Sequence, residues 1–386
     1  MRTGMLPLTE PLFDEDDFRS VDGALRSTYV SGDGPDCRAF ERELAAYLGV
    51  KHAFFTTSCT AALDLAFLVK GLPAGSEVLV PDFTFTSSAL GAVLNGLRPV
   101  LVDVRADNGN IDVARIEAHI TPKTSAIVPV DYAGNPVEMD ALLEVARRHG
   151  LYVVHDAAQS IGAEYRGRKV GTLCDVSCLS FHGTKNLAVG EGGAITTDDD
   201  ALAERIVVAR EKGTDKHRFL SNPGMTGYYE YVARGNSYVQ SNLLGALGRS
   251  QLRKLDRMNA RRAEIAEYYL DALAGLDGVR LPATTDGAQT NWHLFYLLVP
   301  PGFKDRMIEG LRAEGIAANI HYHPLHLNPY YREICEFEEG AFPNATAFFN
   351  ALVRLPMFPG MSDEDARAVV AAVRTVLARA PVPRGA

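Results

Sequence analysis

The chemistry available to this sequence rests on one lysine, one aspartate and a hydroxyl-rich strand end. Lys185 lies in Ser180-Phe-His-Gly-Thr-Lys-Asn186, which runs on into Gly190-Glu-Gly-Gly193. Apolar stretches flank it, Val176 to Phe181 before and Ala194 to Thr196 after. Most lysines are hydrated surface groups, but one pinned between buried strands neutralises a buried anion or acts as an amine nucleophile. An exposed loop lysine is the plain alternative. Asp156 closes the apolar run Leu151-Tyr-Val-Val-His155 and is followed by the small residues Ala157 and Ala158, then Gln159. A carboxylate at the end of a buried strand needs a cation or several donors. A protonated heterocyclic nitrogen would serve; a helix cap is the duller role. In Thr57-Ser58-Cys59-Thr60-Ala61-Ala62 a strand turns directly into a helix that ends at Gly71. Its free N–H groups and positive dipole end make a phosphate cradle, although an ordinary N-cap explains the same residues. Pro81-Asp-Phe-Thr-Phe85 puts aromatic rings at another strand end, either as core or as a platform for a flat ligand.

These groups have to be positioned by the elements around them. Seven strands are expected: His52–Thr57, Glu77–Pro81, Arg98–Val104, Thr124–Val130, Leu151–Asp156, Asp175–His182 and Gly192–Thr197. Several are apolar on both faces, as strands covered by helices on both sides are. Amphipathic segments lie between them, such as Glu138–His149, closed by Gly150 as a C-cap. The pattern predicts an α/β chain with a large, mostly parallel seven-stranded sheet. Ligands of such sheets bind beyond the carboxyl ends of the strands, which points to Thr57-Ser58, Asp82, Asp156 and the Lys185 loop. Together these supply phosphate donors, an anion for a ring nitrogen, a stacking ring and a nucleophilic amine. Those are the parts needed to hold pyridoxal 5′-phosphate. Neither Gly-x-Gly-x-x-Gly nor Gly-x-x-x-x-Gly-Lys-[Ser/Thr] occurs, so dinucleotide and Walker-type sites are not supported.

After residue 200 the texture changes. Ala201–Lys212 and Ser241–Leu273 read as helices, and Gly213–Arg234 as a polar loop. A strand at Trp292–Val299, a helix at Lys304–Glu314, a strand at Ile316–His321 and a helix from Asp363 follow. Ser362-Asp-Glu-Asp365 is a capping box for that last helix. The expected division is a large cofactor-binding domain over 1–250, including an N-terminal arm, and a smaller C-terminal α+β domain over 251–386.

At 386 residues the chain exceeds what one compact core usually supports. It is 47% hydrophobic and 23% charged, an ordinary globular composition. A net charge of −9 argues against a nucleic-acid binder. No apolar run approaches the ~18 residues of a membrane span, and Met1–Asp17 lacks the apolar core of a signal peptide. Five scattered cysteines read as reduced thiols, so the cytoplasm is the expected compartment. Ala380–Ala386 reads as a frayed tail.

At this point the sequence resembles the sugar-nucleotide aminotransferases of the DegT/StrS family, pyridoxal-phosphate enzymes of fold type I. The resemblance runs from Val30-Ser-Gly-Asp-Gly34 to Leu355-Pro-Met-Phe358. Its most specific marks are Val154-His-Asp-Ala-Ala-Gln-Ser160, Ser180-Phe-His-Gly-Thr-Lys-Asn186 and Gly190-Glu-Gly-Gly193. It implies that Lys185 holds the cofactor covalently and is catalytic, that Asp156 pairs with the pyridine nitrogen, and that Gln159 lies near the ring hydroxyl. It further implies that Phe85 stacks on the ring, while Thr60, the Cys59 and Ala61 backbone, and Ser180 bind the phosphate. Most members carry an Asn and then an Arg after the segment matching Arg234-Gly235, the Asn reaching the partner subunit's cofactor. Here Ser237 and Val239 stand there, so Ser237 or Asn236 would substitute. This departure, with Glu211-Lys-Gly-Thr214, is similar to the transaminases that make dTDP-4-amino-4,6-dideoxygalactose. The resemblance thus implies dTDP-4-dehydro-6-deoxyglucose as acceptor, glutamate as donor and a homodimer with shared active sites. Amination at C3 and a non-catalytic, cofactor-binding regulatory role are the alternatives. His182, Tyr322 and His326 are the candidate substrate contacts, and the loop Lys212–Tyr231 is either a surface excursion or a lid. His321 and His323 would share a strand face, but no carboxylate accompanies them, so no metal is expected.

Overall fold

The computed structural model describes residues 4–217 and 229–379. The centre of the molecule is a seven-stranded sheet of β1 (His52–Thr56), β2 (Glu77–Pro81), β3 (Arg98–Val102), β4 (Thr124–Ile127), β5 (Tyr152–Asp156), β8 (Val176–Ser180) and β9 (Gly193–Thr197). Between β5 and β8, the two-residue strands β6 (Glu164–Tyr165) and β7 (Arg168–Lys169) form a small hairpin. The order across the large sheet is β1-β9-β8-β5-β4-β2-β3, and only β9 runs against its neighbours. All seven expected strands form, each ending within a few residues of its expected bounds. Residues of β2, β5, β8 and β9 are buried throughout, which is why these segments do not show the apolar–polar alternation of a half-exposed strand.

The helices follow equally local rules. Ser58 caps the helix Cys59–Lys70 by accepting from the Ala61 amide at 3.0 Å, and Gly71, at φ 67°, ends it. Met139–His149 ends at Gly150 with φ 64°. The capping box at the last helix is present, Ser362 and Asp365 exchanging hydrogen bonds of 3.0 and 3.1 Å.

Register lines the site up across the sheet. Thr56 of β1 and Ser180 of β8 both pair with Gly193 of β9, and Asp156 of β5 pairs with Cys178 of β8. A Cβ at Gly193 would stand 2.4 Å from the Cys59 nitrogen and the Ser58 carbonyl carbon, so β9 can lie against that helix start only as glycine.

The second half of the chain differs from expectation in one respect. Ile316–His321 forms no strand; Ile316 and Asn319 make only single bridges, to Leu6 and Arg354. The partner of β11 (Phe295–Leu298) is instead β12 (Leu352–Leu355), which pairs antiparallel with it; β10 (Ala288–Gln289) adds to the β6–β7 hairpin. The long helix Asn242–Ala272 contributes Leu252 and Leu255 to an apolar cluster with Phe40, Phe55 and Phe181. Further along, its Ile265 and Tyr269 join a second cluster with Phe295, Met307 and Val373. The expected frayed tail lies outside the described residues, as does most of the loop Lys212–Tyr231. No described helix is long and apolar enough to cross a membrane.

Candidate active site

A cavity of about 440 Å³ opens at the carboxyl ends of β1, β5 and β8. It collects Cys59, Thr60, Phe85, Asp156, Gln159, Ser180, His182, Lys185 and Tyr322, with His321 beside them. Of the residues expected at the site, these nine are brought together. Ala61, Asn236, Ser237 and His326 are not.

Asp156 forms the floor. Its Oδ2 accepts from Ser88 Oγ at 2.6 Å and its Oδ1 from the Ala158 amide at 3.2 Å. Ser88 is in turn held by Thr84, whose hydroxyl lies 2.7 Å away. Burial pushes the Asp156 carboxyl up, against the opposing pull of Ser88, the Ala158 amide and Lys185. A carboxylate so placed favours a cationic partner, and a pyridinium nitrogen satisfies that demand.

Lys185 reaches the same cavity half-buried, and burial lowers its ammonium to about 8 despite the attraction of Cys59 and Asp156. An amine in that range is partly neutral at physiological pH and thus a competent nucleophile. Its loop is fixed from below. Asn186 donates to Asn259 at 2.7 Å and to the Asn291 carbonyl at 3.1 Å, and its Oδ1 lies 3.0 Å from Nδ1 of buried His293. Burial pushes His293 well down, so it is neutral and donates to Asn186.

At the helix start, the Ala61 amide is spent on Ser58 Oγ and Ala61 does not line the cavity. The amides of Cys59 and Thr60 make no hydrogen bond to described residues, leaving two donors at the positive end of the helix dipole. The Thr60 hydroxyl meets Ser87 at 2.7 Å. Phe85 is 51% exposed, a large ring open to the cavity, with the Tyr322 ring 5.5 Å away. Gln159 is pinned, accepting from the Ala133 amide at 2.8 Å and donating to the Tyr322 hydroxyl at 3.0 Å. His182 is exposed at the rim, its Nδ1 turned back to Thr184 at 2.8 Å.

His326 sits elsewhere: Nδ1 is 2.6 Å from Oδ2 of buried Asp82, and the ring packs near Phe342. That pairing ties the chain after residue 320 to the end of β2 and leaves the imidazole out of the cavity. Ser237 lines a separate groove of about 620 Å³ with Arg38 and Lys212, and Asn236 lines neither that groove nor the cavity. Behind the site, Asp131 holds His155 Nε2 at 2.8 Å and Ser160 Oγ at 2.7 Å. Burial would push His155 down, but the Asp131 carboxylate outweighs it and keeps the imidazole protonated.

The residues missed from sequence are His321, weighed there only as a metal ligand, and the supporting Ser88, Thr84, Asn186, Asn291 and His293. Only the Asn186 position, next to the lysine, carried a signal. Thr84 and Ser88 flank Phe85, whereas Asn291 and His293 reach the site from far along the chain.

A mostly parallel sheet with a lysine, a carboxylate and a free helix start at its strand ends is the arrangement of the fold-type-I pyridoxal-phosphate enzymes. The chain belongs to the DegT/DnrJ/EryC1/StrS aminotransferase family, whose model matches residues 11–374. It is 39% identical over 384 residues to the spore coat polysaccharide biosynthesis protein SpsC of Bacillus subtilis, covering 97% of this chain and 98% of the relative. It is 39% identical over 343 residues to the dTDP-3-amino-3,4,6-trideoxy-alpha-D-glucose transaminase of Streptomyces venezuelae, covering 88% and 87%. A Streptococcus pneumoniae structure named as a sugar aminotransferase superposes with a TM-score of 0.91 at 28% identity, covering 97% of this chain and 99% of that one. Its structures include forms with pyridoxal phosphate and pyridoxamine phosphate. Enzymes of this family depend on pyridoxal phosphate, and the cavity has the size, floor carboxylate, amine and phosphate donors that this cofactor requires.

Proposed function

We propose that this aminotransferase moves the amino group of glutamate onto the C4 ketone of a nucleotide-linked 6-deoxy sugar, with dTDP-4-dehydro-6-deoxyglucose as acceptor. The observation that carries the reading is the meeting of Lys185, Asp156, Phe85 and the free Cys59 and Thr60 amides around one cavity. In this reading pyridoxal phosphate, when bound, supplies an electron sink that stabilises negative charge at the carbon losing its proton. Lys185 Nζ holds the cofactor and then, with its ammonium lowered to about 8, takes and returns the proton at the reacting carbon. Asp156, positioned by Ser88, keeps a positive ring nitrogen paired. The helix start at Cys59 and Thr60, with Thr60 and Ser180, binds the phosphate. Phe85 covers the ring face, and Gln159, locked by Ala133 and Tyr322, contacts the ring oxygen. Tyr322 and His182 face the sugar.

The C4 assignment is supported by Ser237 and Val239 standing where most members carry an Asn and an Arg. A C3 ketone is the second reading, favoured by the likeness to the Streptomyces venezuelae transaminase. We further propose a cytoplasmic homodimer in which Ser237 or Asn236 reaches the partner's cofactor. The exposed apolar side chains Phe13, Phe18, Leu25, Tyr29 and Val30 support an interface between copies. A division of the chain at 250/251 into a cofactor domain and a smaller α+β domain goes with this reading. The test is to add glutamate to the yellow holoenzyme, follow loss of the visible band, then add the ketosugar and determine by NMR which carbon carries nitrogen. A C4 amine is expected. A C3 amine selects the second reading, and no bleaching with glutamate overturns the function.

A further inference from the structure

Arg354 is an unusual side chain for its place. It lies in the middle of β12, 4% exposed, with no carboxylate bonded to it among the described residues. Its Nε and Nη2 have no hydrogen-bond partner among the described residues. Burying a guanidinium without an anion is costly, and burial lowers this one from its ordinary value. Among the described residues its one side-chain hydrogen bond is Nη1 to Nδ1 of His321, at 3.4 Å. Guanidinium groups only donate, so Nδ1 of His321 must be the acceptor and carry no proton. A neutral His321 therefore has its proton on Nε2. That nitrogen makes no side-chain hydrogen bond among the described residues, and the ring lines the cavity that holds Lys185.

Every charged group facing the imidazole opposes a second proton. Burial, then the Arg354 guanidinium from β12, then the Lys185 ammonium when it is protonated, push His321 down to about 4. Among the described residues no carboxylate counters them; the Ile320 carbonyl pulls weakly the other way, Tyr132 donates to the His321 carbonyl, and the Tyr322 ring lies edge-on. The neighbouring Tyr322 hydroxyl accepts from Gln159, so its own hydrogen is also free for the cavity. This wall thus offers two adjacent neutral donors, while the nearest fixed cation behind it is enclosed. Such a surface can bind the carbonyl and hydroxyl oxygens of a sugar ring.

We propose that His321 is a substrate-binding residue whose Nε2–H donates to an oxygen of the ketosugar, and that Arg354 is the positioning residue that fixes this tautomer. The proposal rests on the aminotransferase reading for the identity of the substrate, but not for the tautomer.

Two measurements on the holoenzyme test it. The first is the ¹⁵N spectrum of the histidine side chains, with His321 assigned by its loss in H321Q. An unprotonated Nδ1 and a protonated Nε2 from roughly pH 5 to 8 are expected. A protonated Nδ1 overturns the proposal. In R354M, the same nitrogen is expected to titrate closer to about 6.5, the ordinary histidine value. The second separates the half-reactions. H321Q, whose amide can donate from the Nε2 position, is expected to keep the ketosugar half-reaction near wild type, whereas H321N loses about 100-fold. Neither changes the half-reaction with glutamate. Equal losses in both variants, or an equal loss with glutamate, overturn the assignment. A wild-type protein inert to glutamate would instead overturn the aminotransferase reading, and the spectrum would still decide the Arg354–His321 arrangement.

Discussion

Ser88 donates to Oδ2 of Asp156 at 2.6 Å across 68 residues of sequence, and both side chains are buried. The hydroxyl is the one side-chain donor to this carboxylate within 3 Å among the described residues. Hydrogen bonds to charged groups contribute roughly 1.5–3 kcal/mol. Ser88→Ala should therefore weaken pyridoxal phosphate binding by about tenfold or more, because the carboxyl rises further and pairs less well with a ring cation. Titration of the apoprotein with pyridoxal phosphate, followed by absorbance, measures this. An unchanged affinity would show that Ser88 does not matter to Asp156.

Lys185 yields a pH prediction with a definite sign. Its ammonium is lowered to about 8, so the neutral amine that attacks aldehydes grows as pH rises through that value. Surface lysines reach the same fraction only near about 10.4. Brief exposure of apoprotein to pyridoxal phosphate and borohydride should label Lys185 first, with a half-maximal rate near that lowered value. Peptide mass mapping across a pH series decides it; a labelling midpoint in the ordinary lysine range would contradict the burial argument.

The Asp82–His326 pair should govern stability and not the chemistry. Asp82 is fully buried, burial pushes its carboxyl up, and His326 is its side-chain partner. Breaking a buried pair costs roughly 3–5 kcal/mol. Asp82→Asn should lose much of that in urea denaturation while the folded fraction retains its turnover. A selective rise in KM for the ketosugar would instead return His326 to the substrate site.

Phe85 separates binding from folding. With half its surface exposed, the ring contributes little to the apoprotein fold. Phe85→Ala should leave the apoprotein melting temperature near wild type, yet reduce the melting temperature gained on adding pyridoxal phosphate. Stacked rings contribute about 0.5–1.5 kcal/mol beyond area. Equal destabilisation of both forms would assign Phe85 to the core.

How much of this was legible in the sequence depended on whether a residue's neighbours in the chain were also its neighbours in space. The seven strands showed because burial on both faces leaves unbroken apolar runs. Lys185, Asp156 and Phe85 showed because each follows such a run, where a doubly covered sheet opens to ligands. β12 did not show: it is four residues long, begins where a helix ends, and carries Arg354 in its middle. Ile316–His321 read as a strand from its composition, but its neighbours offer only single bridges. Ser88, the second residue of the helix Ser87–Leu94, and Asn291, in a loop, have nothing beside them in sequence that names Asp156 or Asn186. His326 misled because a histidine near the substrate wall reads alike whether it faces the cavity or an aspartate beyond it.

Gly193 makes the phosphate end of the site and the lysine loop into a single mechanical joint. The strand that leaves the loop presses its bare Cα against the Ser58–Cys59 peptide, and the same residue pairs with both Thr56 and Ser180. A side chain there would have to displace backbone on the other side, and nothing flexible stands between to absorb the shift. Two loops separated by more than a hundred residues are thereby held to a common tolerance. The gap between amine and anion cradle is then set by the sheet, and a rigid cofactor of fixed length meets a gauge already cut to size.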